Sequence, residues 1–436
     1  MKISNWGNYP IVDAEVQSTF RLKDGRLEGI PRGMGRCYGD AALSSHILST
    51  PKGNRLLSFD KKQGILTAEA GLSIADLLPI IVPTGWFLPV TPGTKFVSLG
   101  GAVAADVHGK NHHSEGSIGS YLVAFTLLSP AGERLVCTPL ANAEIFNATI
   151  GGMGLTGLIL DVSLQLKPIE TSAITQDSYK ARNLTELLAL LDQYEPSTYN
   201  VAWIDCLSKG SNEGRALLMV GEHAAPDQLT GKVWQDNPLI VPQKGRISVP
   251  IALPSFTLNK FTIGAFNTLY YHKQRRSHRH SLTDYDTFFY PLDFIHHWNR
   301  IYGKRGFTQY QLVVPRAAGK EGLLKILQKV RAAGFGSFLA VLKLLGPASQ
   351  GMLSFPMEGY TLTLDFPISK RLFPFLNELD AIVLDYGGRI YLAKDARLPA
   401  DTFRKMYPRW EEFASIRQQI DPEGKMHSLQ SERLEI

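Results

Sequence analysis

Cysteine is scarce in this chain: Cys37, Cys137 and Cys206 are the only three, odd in number and far apart. That spacing excludes a disulfide framework and a zinc pattern and leaves isolated reduced thiols. Long apolar runs are also missing. No stretch approaches the roughly 18 uninterrupted apolar residues of a membrane-spanning helix. The opening residues, Met1 to Gly7, lack the apolar core of a secretory signal, so the expected location is the cytoplasm. No internal repeat or low-complexity tract is visible. Charged residues make up 20% of the chain against 44% hydrophobic, the balance of a folded globular protein. The net charge of +6 suits an anionic substrate or an anionic lipid surface and decides neither. A chain of 436 residues fits two domains, or one domain with a large insertion.

The first third alternates short β-type runs with Gly and Pro punctuation. Residues 56–60 and 64–71 read as strands, and 73–81 as a helix with Ser73 as N-cap before Ile74, Leu77 and Leu78. Residues 121–128 and 133–137 read as strands joined by a turn, 144–150 as a short helix and 158–166 as a strand. This is a mixed α+β pattern without a regular βαβ succession. Beyond Pro168 come helices over 184–191, 321–333 and 373–386, and strands over 201–207, 338–345 and 361–366. One helix is expected near 402–413. Residues 238–280 combine spaced prolines, few element signals and a basic tip over 270–280, which reads as a solvated mobile loop or as a lid touching anionic headgroups. Nucleic-acid binding would use such a patch but finds no accompanying motif here.

Three glycine-rich segments carry the chemistry. Residues 31–40, Pro-Arg-Gly-Met-Gly-Arg-Cys-Tyr-Gly-Asp, form either a nest of backbone N–H groups for an anion or a plain turn. Residues 92–113 pack Gly, Ala and Ser around one apolar stripe and then present His108, Lys110, His112 and His113, so a flat cofactor can lie against the backbone. His108 and His112 have the i, i+4 spacing of a zinc pair, but Gly109, Asn111 and the missing Glu argue for a loop and no metal. Gly152, Gly154 and Gly157 match G-x-G-x-x-G, yet a strand follows them where a dinucleotide fingerprint requires a helix.

In this order the three segments resemble the FAD-binding domain of the vanillyl-alcohol-oxidase, or PCMH-type, flavoproteins. Further motifs resemble the decaprenylphosphoryl-β-D-ribose 2-oxidase family: 108–114 (HGKNHHS), 307–311 (FTQYQ), 342–347 (LKLLGP), 353–356 (LSFP), 391–395 (YLAKD) and 406–409 (MYPR). The resemblance implies an α+β fold in which a two-subdomain FAD-binding domain is built from both chain ends. An inserted substrate domain rests on an antiparallel sheet flanked by helices. The boundaries expected are 1–171, 172–388 and 389–436. It also implies FAD-dependent oxidation of the 2-hydroxyl of a polyprenyl-phosphate-linked ribose to a 2-keto sugar, the first half of an epimerisation toward arabinose for cell-envelope glycans. A keto-reductase of the short-chain dehydrogenase type would complete the epimerisation, and peripheral membrane contact follows from a lipid-linked substrate. Two other readings stand beside it: an oxidase of free alditols or aldonolactones, and a basic membrane- or nucleic-acid-binding protein on a degenerate flavin fold.

Carried over residue by residue, the resemblance assigns Arg32, Gly33, Met34, Gly35, Arg36, Cys37, Tyr38 and Gly39 to the cofactor, with Tyr38 also facing substrate. From the second segment come Gly93, Thr94, Ser98, Gly100, Gly101, Ala105, Asp106, His108, Gly109 and Asn111, and from the third Gly154 and Ile159. Tyr391 and Lys394 are expected against the isoalloxazine, Lys394 as the cation that stabilises the reduced ring. Lys343, inside an apolar run, either snorkels at an edge or sits in the substrate pocket, where the resemblance puts it. Gln309 and Gln311 share one strand face and suit sugar hydroxyls, or face solvent. Trp203 lines the pocket or belongs to an ordinary core, and Leu345, Thr361 and Thr363 complete the substrate set. His108 either takes the hydroxyl proton or donates a hydrogen bond, with Lys394 as a rival base. Arg36 stands where many relatives attach FAD through a histidine, so the cofactor is expected to be non-covalent. Thr363 replaces a cysteine of some family members, and Leu345 an aromatic residue.

Overall fold

The computed structural model describes residues 1–19, 27–245, 247–254 and 257–436. Its amino-terminal third builds two sheets. Glu15–Ser18, His46–Ser49 and Ile30–Arg32 form a parallel three-stranded sheet with His46–Ser49 in the middle. Leu56–Asp60, Ile65–Glu69, Leu158–Gln165, Leu122–Leu128 and Arg134–Cys137 form an antiparallel five-stranded sheet in that spatial order. The helix Ile74–Ile81 covers it. Ser73 caps this helix by accepting from the Asp76 N–H at 3.1 Å, and Ile74, Leu77, Leu78 and Ile81 at i, i+3, i+4 and i+7 are all buried. Leu99–Ala104 is a second, shorter helix, capped by Ser98.

The rest of the chain is organised by an eight-stranded antiparallel sheet. Its centre runs Tyr199–Ile204, Ala340–Leu345, Gly359–Pro367 and Phe307–Pro315, and Arg389–Ile390 closes one edge. Register decides what this sheet can do. Trp203 lies opposite Val341, Val341 opposite Thr363, and Thr363 opposite Gln311. Lys343 lies opposite Thr361, and Asp365 opposite Gln309. With a side-chain period of two, all of these share one face. The other face presents Leu342, Leu344, Leu362, Leu364, Tyr310 and Leu312, buried in one cluster with the apolar sides of the helices Leu184–Gln193, Gly319–Ala332 and Leu372–Asp385. Each fully buried Leu there contributes about 1.5–3 kcal/mol. The polar face is therefore held by an apolar one.

The two chain ends meet beside this face. Phe307 N–H donates to the Gly7 carbonyl at 2.8 Å, and Tyr38 N–H to the Ala393 carbonyl at 3.1 Å. At Gly39 a Cβ would lie 1.7 Å from the Asp395 carbonyl oxygen, so only glycine permits the approach. Arg433, from the carboxy-terminal helix Leu429–Leu434, closes the junction. Its guanidinium donates to both Asp40 oxygens at 2.9 and 3.0 Å and to Asp395 at 2.8 Å. Burial raises the Asp395 carboxyl, but Arg433, Arg397 and the N–H groups of Arg397 and Leu398 more than offset this and hold it below the usual range.

Two sequence expectations are corrected. The segment 238–280 is not an element-poor loop, because Lys260–Lys273 is a 14-residue helix and His278–Asp284 an edge strand pairing with Ala173–Ala181. The helix was hidden because its buried stripe, Ile263, Asn267 and Tyr271, has a polar centre. The Asn267 amide nitrogen finds its acceptor only in tertiary contact, donating to Asp205 at 2.8 Å. Near 402–413 there are two helices, Ala400–Met406 and Trp410–Ile420, parted at Tyr407 and Pro408, where proline lacks an N–H and restricts the preceding residue. Among the described residues no helix is long and apolar enough to cross a membrane.

Replacing Arg433 by Met leaves Asp40 and Asp395 facing each other, both nearly buried. We expect urea denaturation of R433M to show a loss of about 3–5 kcal/mol. A loss below about 1 kcal/mol, the scale of a surface pair, would mean that the junction does not depend on the fork.

Candidate active site

Two lysines lie together over the polar sheet face. Lys343 projects from Ala340–Leu345, and Lys394 arrives on the single turn Leu392–Lys394 that follows the sheet's edge strand. The Lys394 Nζ stands 3.9 Å from the centroid of the Tyr38 ring. Among the described residues neither amine has a hydrogen-bond acceptor or a carboxylate within 4 Å. Protein surrounds both, yet each keeps part of its surface exposed, as groups lining an internal pocket do. Burial pulls both down to about 8, and the charge of Lys394 adds to the effect on Lys343. Asp365 and Cys37 partly restore Lys394.

Asp365 is the carboxylate of this pocket. It is 1% exposed and accepts from the Gln309 amide at 2.6 Å and the Tyr302 hydroxyl at 2.9 Å. Burial raises it to about 7 despite those two bonds and the nearby Lys394. Tyr302 is itself fixed by stacking on Phe307, centroids 4.1 Å apart, and Tyr38 meets Phe307 edge-on at 5.2 Å. Gln311 donates through Nε2 to the Nε2 of His108 at 2.9 Å. An amide nitrogen only donates, so the facing ring nitrogen is the acceptor and the proton of the neutral ring sits on Nδ1. That Nδ1 is buried with no protein partner. Burial, followed by Lys343, His112 and Lys394, pushes the His108 pKa well below its ordinary value. His108 packs 5.4 Å from Phe355 and 5.3 Å from Tyr391, which stack on each other at 4.8 Å.

Next to this pocket the first glycine segment forms a row of free donors. Among the described residues the N–H groups of Met34, Gly35 and Arg36 find no protein acceptor. Gly35 is left-handed at φ +62°, which gives the loop the concave turn of an anion nest. Gly33 packs against Ser98, whose Oγ would lie 2.2 Å from a Cβ there. Gly93 and Gly101 are exposed, and nothing lies within 4 Å of a Cβ built at Gly93. Gly154 packs beside Pro31, so the third segment flanks the first. Bare donors for a pyrophosphate, uncovered backbone, and an aromatic wall beside two unpaired lysines fit FAD.

Comparison with known proteins agrees. Residues 10–138 match the model of the FAD binding domain, and residues 361–434 that of D-arabinono-1,4-lactone oxidase. The chain is 40% identical to the decaprenylphosphoryl-β-D-ribose oxidase of Mycolicibacterium smegmatis, over 100% of this chain and 97% of that one. The chain belongs to this family. It is also similar to the L-gulonolactone oxidase of Bos taurus, 24% identical over 94% and 90% of the two chains, and to the L-gulono-1,4-lactone dehydrogenase of Mycobacterium tuberculosis, 21% identical over 95% and 92%. It is an α+β, FAD-dependent oxidoreductase acting on CH–OH groups, as the sequence resemblance implied.

The expected site residues do not all face the pocket. His108, Gln309, Gln311, Lys343, Thr361, Thr363, Tyr391 and Lys394 converge there through register and the edge turn. Trp203 shares the sheet face, and its indole N–H donates to the Phe338 carbonyl at 3.0 Å. Asp106 instead accepts from the Gly119 N–H and from the Ser349 and Ser354 hydroxyls. Asn111 donates to the Pro89 carbonyl and to Glu115. Asp106 thus ties the second glycine segment to Ser349 and Ser354, and Asn111 fixes it against Pro89 and Glu115. Leu345 shares the sheet face of Lys343 by register and is buried in an apolar cluster, and Ile159 belongs to a second cluster. Arg32 turns back to Asn5 and to the Ser4 carbonyl. Gly109 packs against Asn111 and the Thr91 carbonyl, Gly100 against Ala70, and the Ala105 carbonyl accepts from the Tyr391 hydroxyl at 2.7 Å. The Phe96 N–H donates to the Thr94 hydroxyl at 3.2 Å.

Sequence reading missed Asp365 and Tyr302. Asp365 was legible through the alternation Thr361, Thr363, Asp365, whereas nothing in the sequence links Tyr302 to it.

A carboxyl raised by burial favours folding at low pH, and that contribution fades as pH rises through its folded value. Stability of the wild type relative to D365N should therefore fall between the ordinary carboxylate range and pH 7. Urea midpoints of both proteins across that interval test this, and parallel curves would refute it.

Proposed function

We propose that the protein oxidises the 2-hydroxyl of a polyprenyl-phosphate-linked pentose, ribose, to the 2-keto sugar, opening an epimerisation toward arabinose. One observation carries this reading: two pocket lysines, Lys343 and Lys394, have no counter-anion within 4 Å. A free alditol or lactone supplies no charge to balance them, and a sugar phosphate does. The name of the Mycolicibacterium relative supports the same substrate class. The similarity to lactone oxidases keeps the free-lactone reading as the alternative.

Bound FAD would supply the acceptor for the hydride from C2. The nest over Met34 to Arg36 would hold its pyrophosphate, and Tyr391, Phe355 and His108 would flank its ring. Lys343, at about 8 without substrate, is held cationic by pairing with the substrate phosphate. Lys394, at about 8, is partly neutral near physiological pH, and its Nζ takes the hydroxyl proton. Once protonated, Lys394 would be an ammonium placed to stabilise the reduced form of the bound cofactor. His108 serves as a donor through Nδ1, because Gln311 occupies its Nε2 lone pair. Gln309 and Asp365 orient sugar hydroxyls.

The cofactor is held without a covalent bond. Arg36 lies over the Trp6 ring, 4.2 Å from its centroid, and offers no nucleophile. A keto-reductase of the short-chain dehydrogenase type takes the product onward, and the enzyme works in peripheral contact with a membrane.

Anaerobic mixing with a polyprenyl-phosphoribose should bleach the flavin, while free alditols and aldonolactones should not. The opposite pattern would transfer the assignment to the alternative. K394M should lower the bleaching rate by about 10²–10⁴. K343M should raise the concentration for half-maximal bleaching on the order of 10- to 100-fold with little change in the limiting rate. Acid precipitation should leave the yellow colour in the supernatant, and colour in the pellet would mean a covalent link.

A further inference from the structure

The helix Lys260–Lys273 has two unlike sides. Inward, Phe266 meets Phe338 edge-on at 5.7 Å and Tyr270 packs on Trp203 at 4.8 Å. Phe338 stacks in turn on Tyr302, the partner of Asp365, so the helix roofs the pocket. Outward its bulkiest uncovered side chains are apolar. Phe261 is 75% and Leu269 73% exposed, and in the segment leading into it Ile247 and Ile251 are 61% and 68% exposed. A soluble surface helix rarely leaves such side chains in water without a partner.

Charge says which partner. Between Asp236 and Asp284 the sequence has no Asp or Glu and seven Lys or Arg, leaving 39 basic against 40 acidic residues elsewhere. The whole positive excess of the chain thus lies in this segment. Lys260, Lys273, Arg275, Arg276 and Arg279 are exposed, and among the described residues none of them pairs with a carboxylate. A second copy seated on this face would set these cations against their own images. At 14 residues the helix is too short to span a bilayer but long enough to lie in its surface.

We infer that the outer face of this helix, with the basic run that follows it, docks on the anionic headgroups of a lipid bilayer. Phe261 and Leu269 enter the acyl boundary, Lys273, Arg275, Arg276 and Arg279 meet phosphates, and the roof of the pocket rests at the membrane surface. The biological sense of this docking rests on the lipid-linked substrate proposed above; its physical basis does not.

Flotation of the FAD-loaded full chain with vesicles tests it. The protein should rise with phosphatidylcholine vesicles containing phosphatidylglycerol and stay behind with phosphatidylcholine alone, and high salt should release it. F261S/L269S and R275E/R276E should each weaken binding about tenfold or more. Neither should change bleaching by a short-chain, water-soluble phosphoribosyl substrate. Absence of flotation, or equal flotation of wild type and variants, would overturn the inference. So would a wild-type dimer in sedimentation that F261S/L269S dissociates. Intact flotation without bleaching by the sugar would defeat the proposed reaction and leave the surface standing.

Discussion

The close backbone approach between Gly39 and Asp395 is the constraint on which the rest depends. It places the ring of Tyr38, from the first glycine segment, under the amine of Lys394, some 350 residues further along the chain. Without it the nest and the lysine would belong to separate bodies. Arg433 reinforces the approach from a third direction, because its planar fork satisfies Asp40 and Asp395 together, where a lysine would offer one point charge.

Around that junction the electrostatics follow from burial. Two amines, a carboxyl and an imidazole share a small volume that water enters poorly, and each shifts toward its neutral form. Lys343 and Lys394 reach about 8 and Asp365 about 7, so the pocket holds its groups near the pH at which protons move. His108 shifts toward neutrality too: burial, then the nearby cations, holds its pKa well below the ordinary value, and with its Nε2 bonded to Gln311 it is left with one donor to offer.

The large sheet divides the labour. One face is leucine and closes on three helices, giving rigidity; the opposite face of the same strands bears Gln309, Gln311, Lys343, Thr361, Thr363 and Asp365. Antiparallel register alone brings these residues from three separated segments into one patch. The helix Lys260–Lys273 then roofs the patch with aromatic rings while keeping its own outer side bare.

Local chemistry determined much by itself. The Ser73 cap before Ile74, Leu77 and Leu78 specified a helix, the strand after Gly157 excluded a dinucleotide fingerprint, and the order of glycine segments pointed to FAD. These signals act over a few residues, so sequence neighbours suffice to read them. Tertiary structure alone decided that Asp106 is taken by Ser349 and Ser354 and Asn111 by the Pro89 carbonyl, that Tyr302 reaches Asp365, and that Asn267 lies at the centre of a helix's buried stripe. Each depends on a hydrogen-bond partner distant in sequence, and a polar side chain does not announce which partner will satisfy it until the fold brings the two together.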